Sequence, residues 1–280
     1  MIRNLRSYVA IGDSLSEGLG DFEFDNRRVM AGWTDRLAAL LAKEDRAFDL
    51  PFEYANLAIR GSKLQTIMTT QVEQALRLQP DLVTIMAGSN NISNHPKHLP
   101  ELIRVFREGV QLLQAAGCTV VVATPINPRH LKFFTPIYQR ATRLSDAIRE
   151  VCVELGIRVI DVHRIEQLNH LAYWAEDMVH FSGHGHILVA NEAARTLGLN
   201  HRIPETATWA IEAPLRNALA TFRWVRLYVI PFVGRKLRGV TSGDGLAPKL
   251  PTLVAQPSNW FETYRLDGVE PSASMFERAA

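Results

Sequence analysis

The sequence predicts an α/β fold, a three-layer sandwich with a parallel five-stranded sheet flanked by helices, followed by a C-terminal extension. Over the first two hundred residues, short β-branched runs alternate with longer helical patterns. Two of those runs, near Leu82 and Thr119, are almost wholly apolar, as strands buried on both faces require. From about His201 the alternation ends, and Pro, Gly and isolated aromatics become more frequent. The chain therefore divides into an α/β unit over 1–200 and an appendage over 201–280, expected to be part helical, part extended and packed on the first unit.

The strand candidates, in order, are Tyr8–Ile11, Phe52–Asn56, Leu82–Met86, Thr119–Ala123 and Val159–Val162. Between them apolar residues recur at helical spacing over Trp33–Lys43, Leu64–Leu78, Leu99–Ala116 and Tyr138–Leu155, and again over His184–Leu197 after the last strand. Gly117 and Gly156 follow two of these helices, where a left-handed C-terminal cap is expected. In such sheets the loops leaving the carboxyl ends of the strands build the active site. The places to inspect therefore follow Ile11, Asn56, Met86 and Val162.

Composition narrows the functional classes. The 280 residues are 47% hydrophobic and can fill a core. Lys plus Arg total 31 against 29 for Asp plus Glu, and a net charge of +2 gives no general attraction to nucleic acid. Cys118 and Cys152 are too few for a disulfide framework and lack metal-type spacing, which fits a reduced compartment. The N-terminal run reaches acidic Asp13 after four apolar residues and does not read as a signal peptide. The apolar run Leu227–Val233 is far shorter than the roughly 20 residues of a membrane span. The expected location is cytoplasmic.

Four strand-end segments carry chemistry. The first, Gly12-Asp13-Ser14-Leu15, can lift a hydroxyl above the sheet because glycine lets the backbone turn sharply. At the second, ending Arg60-Gly61, a glycine admits close approach of a backbone N–H to a ligand oxygen. The third, Gly88-Ser89-Asn90-Asn91, offers a side-chain amide donor. In the fourth, Asp177-Met178-Val179-His180, three-residue spacing lets a carboxylate reach Nδ1 of the imidazole and leaves Nε2 free as a base. Taken singly, each is also ordinary turn or surface chemistry.

Together, and in this order, they resemble the GDSL/SGNH hydrolase family of serine esterases and lipases, over roughly Tyr8 to Leu197. The nucleophile block is matched by Gly12 to Leu15, and the glycine-donor block by Asn56 to Gly61. Gly88-Ser89-Asn90-Asn91 stands where the family usually reads Gly-x-Asn-Asp, so Asn91 replaces an aspartate that is not itself catalytic. Asp177 to His180, continued by Phe181-Ser182-Gly183-His184-Gly185-His186, fits the last block at every fixed position. The resemblance implies an SGNH, flavodoxin-like sandwich and a carboxylic ester hydrolase, with Ser14, Asp177 and His180 as catalytic residues. It further implies an oxyanion hole formed by Ser14, Gly61 and Asn90, a small-molecule ester substrate, and no metal or cofactor.

Other readings compete. The same acyl-enzyme could transfer its acyl group to an alcohol, and a noncatalytic binding module can share the fold. A zinc site built from His180, His184 and His186, with His163 and His170 nearby, has poor ligand spacing and no neighbouring cysteine. Loop residues that could line a substrate pocket are Phe22, Phe24, Arg60, Ile92, Phe133, Phe134 and Phe181, although loop packing explains each aromatic equally well. Finally, Arg216 to Arg238 holds six basic residues (Arg216, Arg223, Arg226, Arg235, Lys236 and Arg238) and no acidic one. Packing of Trp209, Leu215, Leu219 and Phe222 on the α/β unit is the expected arrangement, with peripheral contact to an anionic membrane through 216–238 as the alternative.

Overall fold

A computed structural model describes residues 5–21, 23–24, 29–44, 51–92, 98–130, 135–205 and 222–256. Strands β1 (Ser7–Gly12), β4 (Phe52–Asn56), β5 (Leu82–Met86), β6 (Thr119–Ala123) and β7 (Arg158–Ile160) lie parallel in the order β4-β1-β5-β6-β7. In chain order this is 2-1-3-4-5, the flavodoxin-like doubly wound arrangement, whose direction of winding reverses beside β1. A short antiparallel pair, β2 (Glu23–Phe24) and β3 (Val29–Met30), stands apart.

Alternation along β1 shows how the layers form. Tyr8 and Ala10 face a core shared with α2 (Trp33–Glu44) and α7 (Gly183–Leu197), while Val9 and Ile11 face the opposite core. That second layer comprises α3 (Leu64–Thr66), a π-helical turn (Ile67–Gln71), α4 (Val72–Leu78), α5 (Leu99–Ala115) and α6 (Thr135–Glu154). All six residues of β1 are buried, and a strand covered on both faces gains about 1.5–3 kcal/mol from each large apolar side chain removed from water.

The sequence expectation needs three corrections. Among the described residues the sheet has six strands, because β8 (Leu250–Gln256) pairs antiparallel with β4 from the C-terminal region. The last parallel strand is shorter than expected and ends at Ile160, and Val162 enters a 3₁₀ turn instead. Phe222 does not pack inward: it is 66% exposed, whereas Trp224, two residues on, sits against the core. Trp209, Leu215, Leu219 and Arg216 lie outside the described residues. Beyond them the chain forms a π-helical turn (Val225–Val229) and α8 (Ile230–Leu237). Just before β8, the Lys249 ammonium bonds the buried Asp35 carboxylate of α2 at 2.6 Å.

Candidate active site

β1 delivers Ser14 through a tightly fitted turn. A Cβ on Gly12 would stand 2.7 Å from the Met86 carbonyl oxygen and 2.8 Å from Ser16 Cβ, so no larger residue fits there. Asp13 caps α1 (Ser14–Glu17) by accepting from the Leu15 N–H at 3.1 Å. The buried Gln71 amide, carried on the π-helical turn, grips both polar atoms of Gly12, donating to its carbonyl at 2.9 Å and accepting from its N–H at 2.8 Å. Such π-helical turns are frequent at functional sites.

Asp177 and His180 share a folded loop between Trp174 and Phe181, which form a single antiparallel bridge. The Ala175 N–H donates to the His180 carbonyl at 2.8 Å, and the Met178 N–H to the Ala175 carbonyl at 2.9 Å. Met178 holds φ +61°, a left-handed conformation rare outside glycine, while its side chain is buried in the core. In this bend Asp177 Oδ1 accepts from the Val179 and His180 N–H groups at 2.9 and 3.0 Å, and Oδ2 meets His180 Nδ1. His180 Nε2 lies 2.8 Å from Ser14 Oγ. With the proton on Nδ1 facing Asp177, Nε2 is free to accept from the serine hydroxyl.

Burial alone would raise the Asp177 carboxyl, but the His180 charge and hydrogen bonds outweigh it and bring the group down to about 2. Burial likewise favours neutral His180, yet the Asp177 charge and hydrogen bond, aided by Asp13, hold it above the ordinary histidine value. Asp13 is pushed up to about 6, chiefly by burial. Arg60 faces the site and is tied to Glu17 through Nε at 3.0 Å and through its own N–H at 2.7 Å.

Asn90 approaches the same turn from β5, and Gly61 lies in the loop after β4, whose Ile59 N–H donates to the Gly12 carbonyl at 3.3 Å. Gly61 has φ +76°, and a Cβ there would stand 2.9 Å from Thr241 Cβ in the C-terminal region. Asn90 lies on a 3₁₀ turn (Ser89–Asn91) and donates through Nδ2 to Asp13 Oδ2 at 3.2 Å and to the Ser62 carbonyl at 3.0 Å. Asn91 is buried: its Oδ1 accepts from the Leu64 N–H at 2.8 Å and its Nδ2 donates to Gln65 at 3.0 Å. The amide oxygen thus accepts a backbone hydrogen bond as a carboxylate oxygen can.

Residues 10–188 match the GDSL-like Lipase/Acylhydrolase family. The chain belongs to this family. As a GDSL-like acylhydrolase it is a carboxylic ester hydrolase. Among solved structures, a catalytic mutant of Axe2, an acetylxylan esterase from Geobacillus stearothermophilus, is 18% identical with a TM-score of 0.59, over 71% of this chain and 97% of that one. LAE5, an alpha/beta hydrolase enzyme from the metagenome of Lake Arreo, Spain, is 19% identical with a TM-score of 0.58, over 72% and 98%. At these identities the likeness shows the fold. No curated protein matches the chain in sequence.

Within this GDSL-like hydrolase the remaining sequence candidates disperse. Phe181 is fully buried between Trp174 and His186, so it is core and not pocket lining. Ile92 packs partly against the second core. Phe22, Phe133 and Phe134 lie outside the described residues, as does the side chain of Phe24. Three other histidines of the zinc reading are engaged separately: buried His186 accepts from the Trp33 N–H and pairs with the Leu19 carbonyl, each at 3.1 Å. His163 meets Thr142 at 3.2 Å, and His170 accepts from the Ala172 N–H at 3.3 Å. Among the described residues no group of three or more His, Cys, Asp or Glu could hold a metal ion, and no helix is long and apolar enough to cross a membrane. Sequence reasoning missed Gln71, the Asp13–Asn90 contact and Trp224, whose indole N–H donates to the Asp177 carbonyl at 2.9 Å.

Proposed function

We propose that the protein cleaves carboxylic esters through an acyl-enzyme on Ser14, with His180 as general base and Asp177 orienting it. The observation that carries this reading is one imidazole touching Ser14 Oγ on one side and the Asp177 carboxylate on the other. His180 takes the serine proton as Oγ attacks the ester carbonyl, then gives it to the departing alcohol. Water attacks the acyl-enzyme by the same route in reverse. The tetrahedral oxyanion is met by the Ser14 and Gly61 N–H groups and the Asn90 amide. Both Asn90 N–H bonds are engaged at rest, so an arriving oxyanion takes over the longer one, to Asp13.

For the substrate we favour a small acyl group on a sugar hydroxyl, following the acetylxylan esterase of the same fold. Turnover of p-nitrophenyl esters across chain lengths, with an acetylated xylo-oligosaccharide alongside, tests this. Ser14→Ala should lower turnover by about 10⁴–10⁶ and abolish fluorophosphonate labelling while leaving the fold intact. A folded variant with turnover within tenfold of the parent would sink the acyl-enzyme.

A further inference from the structure

The stretch matched to the family ends at residue 188, yet the chain returns to the catalytic loop some forty residues later. The helical segment entered at Phe222 lays one side on the bend that carries Asp177. From that side Trp224 donates its indole N–H to the Asp177 carbonyl at 2.9 Å and packs against the core that contains Trp174, Met178 and Phe181. Tyr228, one turn on, is half-buried and feels the charges of Glu176 and Asp177, while Arg223 faces Glu176. On the other flank His130 stacks on Trp174 with ring centroids 3.8 Å apart and bonds the Met178 carbonyl at 2.9 Å. The next two carbonyls of a bend that contains a left-handed methionine are thus each held from outside it. Left-handed non-glycine backbone persists only where its surroundings over-determine it.

We propose that Trp224 is a positioning residue for the Asp177–His180 pair, so that the C-terminal helical segment is a working part of the hydrolytic site. The inference rests on the acyl-enzyme reading above. Without the indole N–H, the Asp177 carbonyl loses its outside anchor, and the carboxylate loses its alignment on Nδ1. Displacements of about 1 Å from productive geometry can cost roughly 10²-fold in rate. A weaker Asp177 contact also lets burial pull His180 down. Among the described residues, Asp177, Asp13 and Arg60 act on His180, and His180, Glu176 and the neutral Tyr228 phenol face Asp177. None of these is altered by changing Trp224.

The test uses the full chain with Trp224→Phe and, separately, 3-benzothienylalanine at position 224, which keeps the bicyclic shape and lacks the N–H. Both should lower kcat by roughly tenfold to a hundredfold, leave KM within about twofold, and move the acidic limb of the kcat profile to lower pH. Phe222→Ser, on the exposed side of the same segment, should leave kcat and the limb in place. The proposal is overturned if the isosteric variant keeps the parental kcat and limb, or if it loses thermal stability and KM with the limb unmoved. Equal effects from Phe222→Ser would overturn it too. If Trp224→Phe fails to fold, the benzothienyl variant decides. Failure of this proposal is separable from failure of the acyl-enzyme, because Ser14→Ala reports on the latter alone.

Discussion

Replacing Asp13 by Asn should stabilise the protein at alkaline pH while impairing catalysis. The carboxyl is 1% exposed and pushed from 3.8 up to about 6, chiefly by burial. Because the folded value exceeds the unfolded one, its ionised form destabilises the fold. That penalty is absent below 3.8, grows as pH rises, and is complete above about 6. A rise of about two units, at 1.36 kcal/mol each, makes it about 3 kcal/mol. Asn keeps an acceptor for the Leu15 N–H but turns N–H groups toward Asn90, losing a bond worth about 1 kcal/mol at every pH. The variant should therefore gain about 2 kcal/mol at pH 8 and lose about 1 kcal/mol near pH 4. Urea unfolding of both proteins at the two pH values measures the difference. A swing below about 1 kcal/mol, or one of opposite sign, would refute the reasoning. Activity should fall in the variant, because Asp13 holds Asn90 at rest and raises His180, and such trades of stability for function are common at active sites.

Since only neutral His180 can accept the serine proton and Asp177 holds the ring above the ordinary 6.5, kcat should climb along a single acidic limb lying above pH 6.5. Asp177→Asn should cut kcat about 10⁴-fold and move any remaining limb downward, and a parental limb below 6.5 would contradict this. Asn90→Ala should lower kcat by roughly 10²–10³ with little change in KM, whereas Asn91→Ala should act mainly on stability, by about 1–3 kcal/mol, because it strands the Leu64 N–H. Steady-state kinetics with thermal melts separates the two, and equal kinetic damage would mean the oxyanion donor is wrongly assigned. Exposed Phe222 and Ile230 beside Arg226 and Arg238 predict weak, salt-sensitive adsorption to anionic vesicles, with about 1 kcal/mol per basic residue. Co-sedimentation that is equal on neutral vesicles, or unchanged when Arg223, Arg226, Arg235 and Arg238 become Gln, would remove that contact.

The five parallel strands were legible because burial on both faces leaves continuous apolar runs, and Leu82–Met86 and Thr119–Ala123 read almost without interruption. The contacts of His180 with Ser14 and Asp177, and of Asn90 with Asp13, join segments that stand out in the sequence for a different reason. Each sits within a few residues of a strand end or of the last helix, so local spacing brings it to the same rim. The bend between Asp177 and His180 was not legible, since nothing in Asp-Met-Val-His announces a left-handed methionine held by its buried side chain. Gln71 was hidden likewise. Its value lies in a π-helical turn that re-aims one polar side chain at Gly12, and a single contact leaves no period in the sequence.

β8 escaped for reasons of geometry. It runs antiparallel at the outer edge of β4, two hundred residues away in sequence, and its outward positions are exposed, so it lacks the unbroken apolar run that marks a buried strand. Its placement settles two problems of the α/β unit at once. An uncovered β4 would present a row of unpaired backbone groups, an invitation to pair with another chain. A lone buried Asp35 would carry an uncompensated charge, which Lys249 at the foot of β8 neutralises. The described chain leading to β8 passes the catalytic rim. On that crossing Trp224 meets the Asp177 carbonyl and Thr241 closes against Gly61. The segment that completes the sheet thereby also touches two parts of the candidate site, the bend that carries Asp177 and the loop that carries Gly61, the glycine proposed as an oxyanion donor.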